Sequence, residues 1–358
     1  MTAIDPGLRV LELGDRHLFK SSFPEQSTFI FTGATSQAPP PGIPHRPFSP
    51  ATFVEILRGL RRRDWDLIFC YPLATPLWDC RRGAAGALST LSRMIFRFRT
   101  LGAYAARAGG VPLVVIDLND TPRVPAACLP LLDRSVLYFK RELPFDPAKA
   151  LFDVTPQFRT HERVMTSRFF QRNRSKLKPI SASVPDETAE MARGIRPDKI
   201  VDVFFAGSPT NSEIRRRGFE ELKLLSERGY VVDISSGGLS KREYIERCAR
   251  SWLTWSPEGY GWECFRHYEA SLCGSVPILS APGIMRYAPL EDGVHAFMYP
   301  DRPGGLVHAV ETALSQKSGL TSMAERARLH ALSHHTDGRV CEHIVASSLE
   351  LLKPSAVH

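Results

Sequence analysis

The chain alternates between short apolar runs and stretches of helical periodicity. In the first half, runs at 9–13, 28–31, 66–71, 112–118 and 135–139 each have the length of one buried strand. A helix is expected from Ser49-Pro50, a cap residue followed by proline at the first helical position. It carries Phe53, Val54, Ile56, Leu57 and Leu60 on one stripe. A second is expected over about 86–107, closing at Gly109-Gly110. In the second half, runs at 200–205, 230–235, 251–255 and 276–279 read as strands. Between them lie a helix from Asn211 or Ser212 to Gly229, and another that begins at Ser240 with Glu243 three residues on, a capping box. Strand–helix–strand alternation in both halves implies an α/β fold of two Rossmann-like domains with parallel sheets. Their expected extents are 1–180 and 200–345. Polar, proline-containing residues 181–199 are expected as a linker, and 346–358 as a tail crossing back to the first domain.

Composition narrows the partners. Of 358 residues, 43% are hydrophobic and 23% charged, enough for two packed cores and too apolar for a disordered chain. Lys and Arg number 46 against 38 Asp and Glu, a net charge of +8 that favours anionic partners such as sugar nucleotides, lipid head groups or nucleic acid. Seven cysteines form no C-x-x-C pair and several sit in apolar runs, which suggests buried thiols in a reducing compartment. Residues 1–20 lack a secretory pattern, and no apolar run approaches the ~20 residues of a membrane span. The expectation is a cytoplasmic protein, peripheral on the inner membrane face if it meets a membrane at all.

Arg159–Lys178 is the basic segment that could make such a contact. It holds Arg163, Arg168, Arg172, Arg174 and Lys176 with Phe169 and Phe170 among them. A solvated helix face is the alternative. No nucleic-acid-binding motif is present, and nucleic acid is not expected as a partner. His and Cys spacings match no metal motif. Walker-type and Gly-x-Gly-x-x-Gly loops are absent, which argues against a kinase or dehydrogenase.

The stretch richest in chemistry runs from Trp255 to Leu279. It reads as a strand, a glycine loop with Gly259, Tyr260 and Gly261 after Ser256-Pro257, a helix, and a buried strand. Glycines let backbone approach a ligand, and the helix points its amide ends at the loop, an anion site suited to a diphosphate. Phe265, Tyr268 and Leu272 are expected to face the core. Arg266 and Glu269, three apart, share one face of the helix. They read either as an ordinary surface ion pair or as a cation for phosphates beside a carboxylate for ribose hydroxyls.

Arg266-His-Tyr-Glu-Ala followed by Cys-Gly-Ser-Val-Pro-Ile resembles the donor-site motif of GT-B glycosyltransferases, in particular the exostosin-like and bacterial spore-coat-type group. Val203-Phe-Phe-Ala-Gly-Ser208 resembles the first strand and glycine turn of the same domain. Lys140-Arg-Glu-Leu143 after Val136-Leu-Tyr-Phe139, and Asp117-Leu-Asn-Asp120 before it, resemble segments of bacterial members. The resemblance implies a GT-B fold with the two domains facing across a cleft, and metal-independent transfer of a sugar from a UDP- or GDP-linked donor to a hydroxyl acceptor. That acceptor would be a glycan, a lipid-linked molecule or a small molecule. No cofactor or metal is expected beyond the nucleotide sugar. It implies that Glu269 holds the ribose, Arg266 the diphosphate, and Gly207-Ser208 the turn near the phosphates. Asp117 and Asp120 become candidate catalytic bases, and Lys140, Arg141 and Glu142 candidate phosphate or acceptor contacts. Eight positions before Glu269 stands Gly261 where many retaining enzymes carry a second glutamate, so the stereochemical outcome stays open. Two other readings remain: a different α/β enzyme of a phosphate ligand, or a non-catalytic protein that binds nucleotide sugars.

Overall fold

The computed structural model describes residues 4–32, 39–72, 110–125, 128–151, 160–210 and 212–352. The helix expected over 86–107 lies outside these, as do Arg159 and Asn211. The chain divides into two compact units, 1–180 together with 341–358, and 181–340.

In the first unit, β1 (Val10–Gly14), α1 (Leu18–Ser22), β2 (Ser27–Phe31), β3 (Arg46–Pro47), α2 (Pro50–Arg62), β4 (Leu67–Cys70), β5 (Leu113–Asp117), α3 (Leu129–Arg134), β6 (Leu137–Lys140), α4 (Ala148–Leu151), α5 (Thr160–Thr166), α6 (Arg168–Asn173) and β7 (Leu177–Pro179) follow one another. The seven strands form one parallel sheet in the order β3-β2-β1-β4-β5-β6-β7. Helix α2 starts as expected: the Ser49 side chain accepts from the Thr52 amide and Pro50 takes the first position. The basic segment is two short helices and a strand. Arg163, Arg168, Arg174 and Lys178 are exposed and make no ion pair among the described residues, whereas Arg172 pairs with Asp133 at 2.6 Å.

The second unit holds α7 (Asp186–Arg193), β8 (Val201–Ala206), α8 (Glu213–Glu227), β9 (Val232–Ser235), α9 (Lys241–Ala249), β10 (Ser251–Ser256), α10 (Phe265–Leu272), β11 (Val276–Ser280), β12 (Phe297–Tyr299), α11 (Gly305–Ser315) and α12 (Lys317–His334). A last helix, α13 (Asp337–Leu352), begins here and ends among residues assigned to the first unit. The five strands are parallel in the order β12-β11-β10-β8-β9. Residues 181–199 are more than a linker: α7 buries Thr188, Ala189 and Ala192, and Ala189 and Ala192 join a core cluster with Phe204, Ile245 and Tyr268. At eight residues, with charges at Asp186, Glu187, Glu190 and Arg193, α7 is too short for its apolar stripe to stand out. On the opposite side of the sheet, Trp255 packs on Phe205 with ring centroids 4.6 Å apart. Its indole N–H donates to the Tyr299 hydroxyl at 2.9 Å.

Candidate donor-binding site

The order of the second sheet reverses between β8 and β10: the chain steps outward to β9 on one side and through β11 to β12 on the other. Loops leaving the carboxyl ends of the strands diverge at such a point and leave a crevice, the usual ligand site of open α/β sheets. Gly207-Ser208 leaves β8 there, and Pro257–Gly261 leaves β10. Gly207 adopts φ +153°, and its amide donates to the Ser235 carbonyl at 2.9 Å, joining the turns after β8 and β9.

Two guanidinium groups converge on this turn. A Cβ placed on Gly207 would lie 3.0 Å from Arg266 Nη2 and 3.7 Å from Arg215 Nη1. Arg266 comes from the first turn of α10 and lies over the Phe205 ring, 5.2 Å from its centroid. Arg215 comes from the first turn of α8, where Ser212 caps the helix by accepting from the Arg215 amide. It is buried and donates to the Glu258 carbonyl at 2.7 Å and to the Ser208 carbonyl at 3.4 Å. Neither arginine has an ion pair among the described residues. Burial, and then the charge of Arg266, pull the Arg215 pKa down, whereas for Arg266 burial is outweighed by the charges of Cys264, Tyr244 and Glu269 and the pKa is raised. Two cations held this close repel, and an anion between them relieves the repulsion.

Glu269 does not pair with Arg266. Its Oε1 accepts from Lys241 Nζ at 2.7 Å, and its other oxygen has no partner among the described residues. Lys241 opens α9, which the Ser240–Glu243 capping box starts as expected. Helix α10 has two turns and ends at Gly274, whose φ of +71° is the left-handed closure that glycine favours. No side chain caps its N-terminus, and although the His267 amide donates to the Cys264 carbonyl at 3.1 Å, the amides of Phe265 and Arg266 are left for a ligand.

Contacts therefore set an order along the crevice. The turn after β9 and Lys241–Glu269 lie at one end, Arg266 and Gly207 follow, and Arg215 leads to the glycine loop. A Cβ on Gly259 would come 3.1 Å from Arg215 Nη2. Tyr260 beyond it is 81% exposed. Ser256, Pro257 and Gly261 are buried, so they shape the loop through backbone. The Ser256 hydroxyl pairs with His267 Nδ1 at 2.7 Å. Burial, helped by Arg286 and Arg266, lowers the His267 pKa to about 3. Tyr268 and Leu272 face the core as expected, but Phe265, first in the helix, is 46% exposed.

Glu263 is a residue the sequence did not single out. Buried beneath the loop, it accepts from the Ala182 amide and the Tyr268 hydroxyl, each at 2.6 Å. Arg215 and Lys241 were likewise not legible, although each stands in the first turn of a helix that follows a glycine-containing turn.

In the first unit, register pairs Asp117 with Lys140 at the ends of β5 and β6. Asp117 does not have the surroundings of a base. It is fully buried, and it accepts from the Tyr138 hydroxyl at 2.8 Å and from the Asn119 amide and side chain at 3.1 and 2.8 Å. Lys140 Nζ stands 3.2 Å away. With every lone pair engaged in the interior, it is a structural node. Lys140 and Glu142 are buried too, so neither is placed to meet a phosphate from solvent. Asp120 is 49% exposed at its side chain and pairs with Arg141. Among the described residues, no group of three or more His, Cys, Asp or Glu is arranged to hold a metal, and no helix is long and apolar enough to cross a membrane.

Residues 214–285, the span of Arg215, Lys241, Arg266 and Glu269, match the family described as the RXYLT1 C-terminal domain. No curated protein matches the chain by sequence. Among solved structures, the fold is similar to a glycosyltransferase from Rickettsia africae, 8% identical, with a TM-score of 0.59 over 98% of this chain and 100% of that one. It is also similar to Anabaena HepE in complex with UDP, 13% identical, TM-score 0.56, covering 96% and 100%. HepE with UDP and glucose gives 12%, 0.52, 96% and 99%. The chain thus has the GT-B fold, and over residues 214–285 it is similar to the family of the RXYLT1 C-terminal domain.

Proposed function

We propose that this protein transfers a sugar from a uridine-diphosphate sugar to a hydroxyl-bearing acceptor. The observation that carries this reading is the pair of guanidinium groups, Arg215 and Arg266, around the Gly207 turn with no carboxylate partner among the described residues. They supply positive charge where a leaving diphosphate gains negative charge, and the first-turn amides of α10 add to it. Glu269, with one oxygen unengaged among the described residues, accepts from ribose hydroxyls. HepE, of similar fold, has been solved with UDP, with UDP-glucose, and with UDP and glucose, which favours uridine over guanosine here. The acceptor is a sugar hydroxyl in the same reading.

The cations replace a metal in neutralising the diphosphate, so transfer proceeds without one. Asp120 is the proposed base, since it keeps the exposure that a proton acceptor needs. The exposed cations Arg163, Arg168, Arg174 and Lys178 are proposed to touch anionic lipid. Cosedimentation with phosphatidylglycerol vesicles but not with phosphatidylcholine is the expected result, and equal binding to both would remove this contact.

Calorimetric titration with UDP and GDP, with and without EDTA, tests the core of the reading. UDP is expected to bind, more tightly than GDP and equally with chelator. A wild-type protein that binds neither nucleotide overturns it.

A further inference from the structure

We propose that Lys241 is a positioning residue of the donor site: by holding Glu269, it keeps the Arg266 guanidinium available to the diphosphate. This inference rests on the donor reading of the same crevice.

A carboxylate three residues after an arginine on one helix is well placed to pair with it. Arg266 and Glu269 have that spacing, yet they are not paired. Glu269 is held from another helix by Lys241 at 2.7 Å, and Arg266 lies over Phe205, with no carboxylate at ion-pair distance among the described residues. The Glu269 side chain is only 12% exposed, whereas that of Lys241 is half exposed. A sheltered carboxylate pairs with whichever cation reaches it. Without the ammonium of Lys241, the nearest cation on its own helix is Arg266. Rotation of Glu269 toward Arg266 would cancel the positive charge beside Gly207 and turn the carboxylate from the ribose.

The pair is also built to last through nucleotide binding. Lys241 occupies Oε1, and the other oxygen has no partner among the described residues. The Lys241 backbone stands first in the helix that the Ser240–Glu243 capping box starts, and its ammonium lies 5.7 Å from the centre of the Tyr244 ring. Lys241 thereby governs phosphate affinity without touching a phosphate.

The test is calorimetry with UDP, with GDP in parallel, on the wild type, Lys241→Met, Lys241→Arg, Arg266→Met and the double Met variant. Lys241→Met is expected to weaken nucleotide binding about fivefold, the scale of one partly exposed ion pair. Lys241→Arg should restore most of it. In the double variant the two losses should combine to less than their product, because Arg266 is then no longer there for Glu269 to neutralise. A Lys241→Met protein that binds like the wild type, or losses that multiply, overturns the inference and leaves the donor reading standing. A wild type that binds neither nucleotide overturns the donor reading itself, and this inference with it.

Discussion

Arg266 meets no carboxylate among the described residues, and the geometry of its fork is what makes it hard to replace. A guanidinium grips two phosphate oxygens at once, while an ammonium offers one compact charge. Arg266→Lys is therefore expected to weaken UDP binding about tenfold or more and to leave uridine binding unchanged. Equal losses for nucleotide and nucleoside in calorimetry would assign Arg266 to the fold. Asp120 poses a different question. Asp120→Asn keeps the shape, so UDP should still bind, but transfer should fall about 10²- to 10⁴-fold if the carboxylate removes the acceptor proton. A radiolabel transfer assay at wild-type rate would take Asp120 out of the mechanism. Arg266 and Glu269 were legible because the chemistry and its spacing lie within one short motif. Arg215 and Lys241 were not: each sits on another helix, and only the topology brings them to Gly207 and Glu269. Asp117 looked like a base because a strand end was assumed to be open. Tyr138 and Lys140 of the neighbouring strand close it.

Among the elements, α8 depends on a close approach that helix propensity alone would not favour. Gly218 faces Trp255, and a Cβ there would lie 2.1 Å from the indole Cζ2. Alanine is the better helix former by about 0.8–1 kcal/mol in an exposed position. Here overpacking against a buried ring should dominate, and Gly218→Ala is expected to cost about 1–3 kcal/mol net. Chemical denaturation that finds the variant as stable as wild type would show that α8 can shift without loss. The longer strands could be read in advance because strands buried on both faces of a parallel sheet are continuous apolar runs. The two- and three-residue strands β3, β7 and β12 could not. They carry too few residues for a pattern, and their place at or near the sheet edges is fixed by pairing.

For the whole molecule, two buried groups pull the pH dependence in opposite directions. His267 is neutral in the fold, with its pKa lowered to about 3. The unfolded chain takes up that proton first, so the contribution of His267 is present above about pH 6.5 and is lost as pH falls toward about 3. Glu12 is buried in the first unit, and burial, partly offset by hydrogen bonds from Tyr71, Phe19 and Lys20, raises its pKa to about 7. Its contribution is complete below the unfolded value near 4.5 and is lost as pH rises through about 7. Between these limits, stability of Glu12→Gln should therefore rise more steeply with pH than that of the wild type. Parallel slopes in urea melts across that range would mean that Glu12 is ionised in the folded protein.

The first unit is assembled from both ends of the sequence: residues 1–180 are completed by 341–358, and Phe139 packs against His343 with ring centroids 5.8 Å apart. During synthesis, β1 to β7 emerge before 181–340, and the whole of that segment must follow before their packing partner in 341–358 is made. The contiguous second unit, with Arg215 and Arg266, can close first. Cys341, Ile344 and Val345, all buried in the finished protein, dock only after that. A message cut just after the codon for Val340 would yield a chain with every strand of both sheets but without most of α13, its first unit left with uncovered apolar surface, the kind of nascent product that chaperones hold.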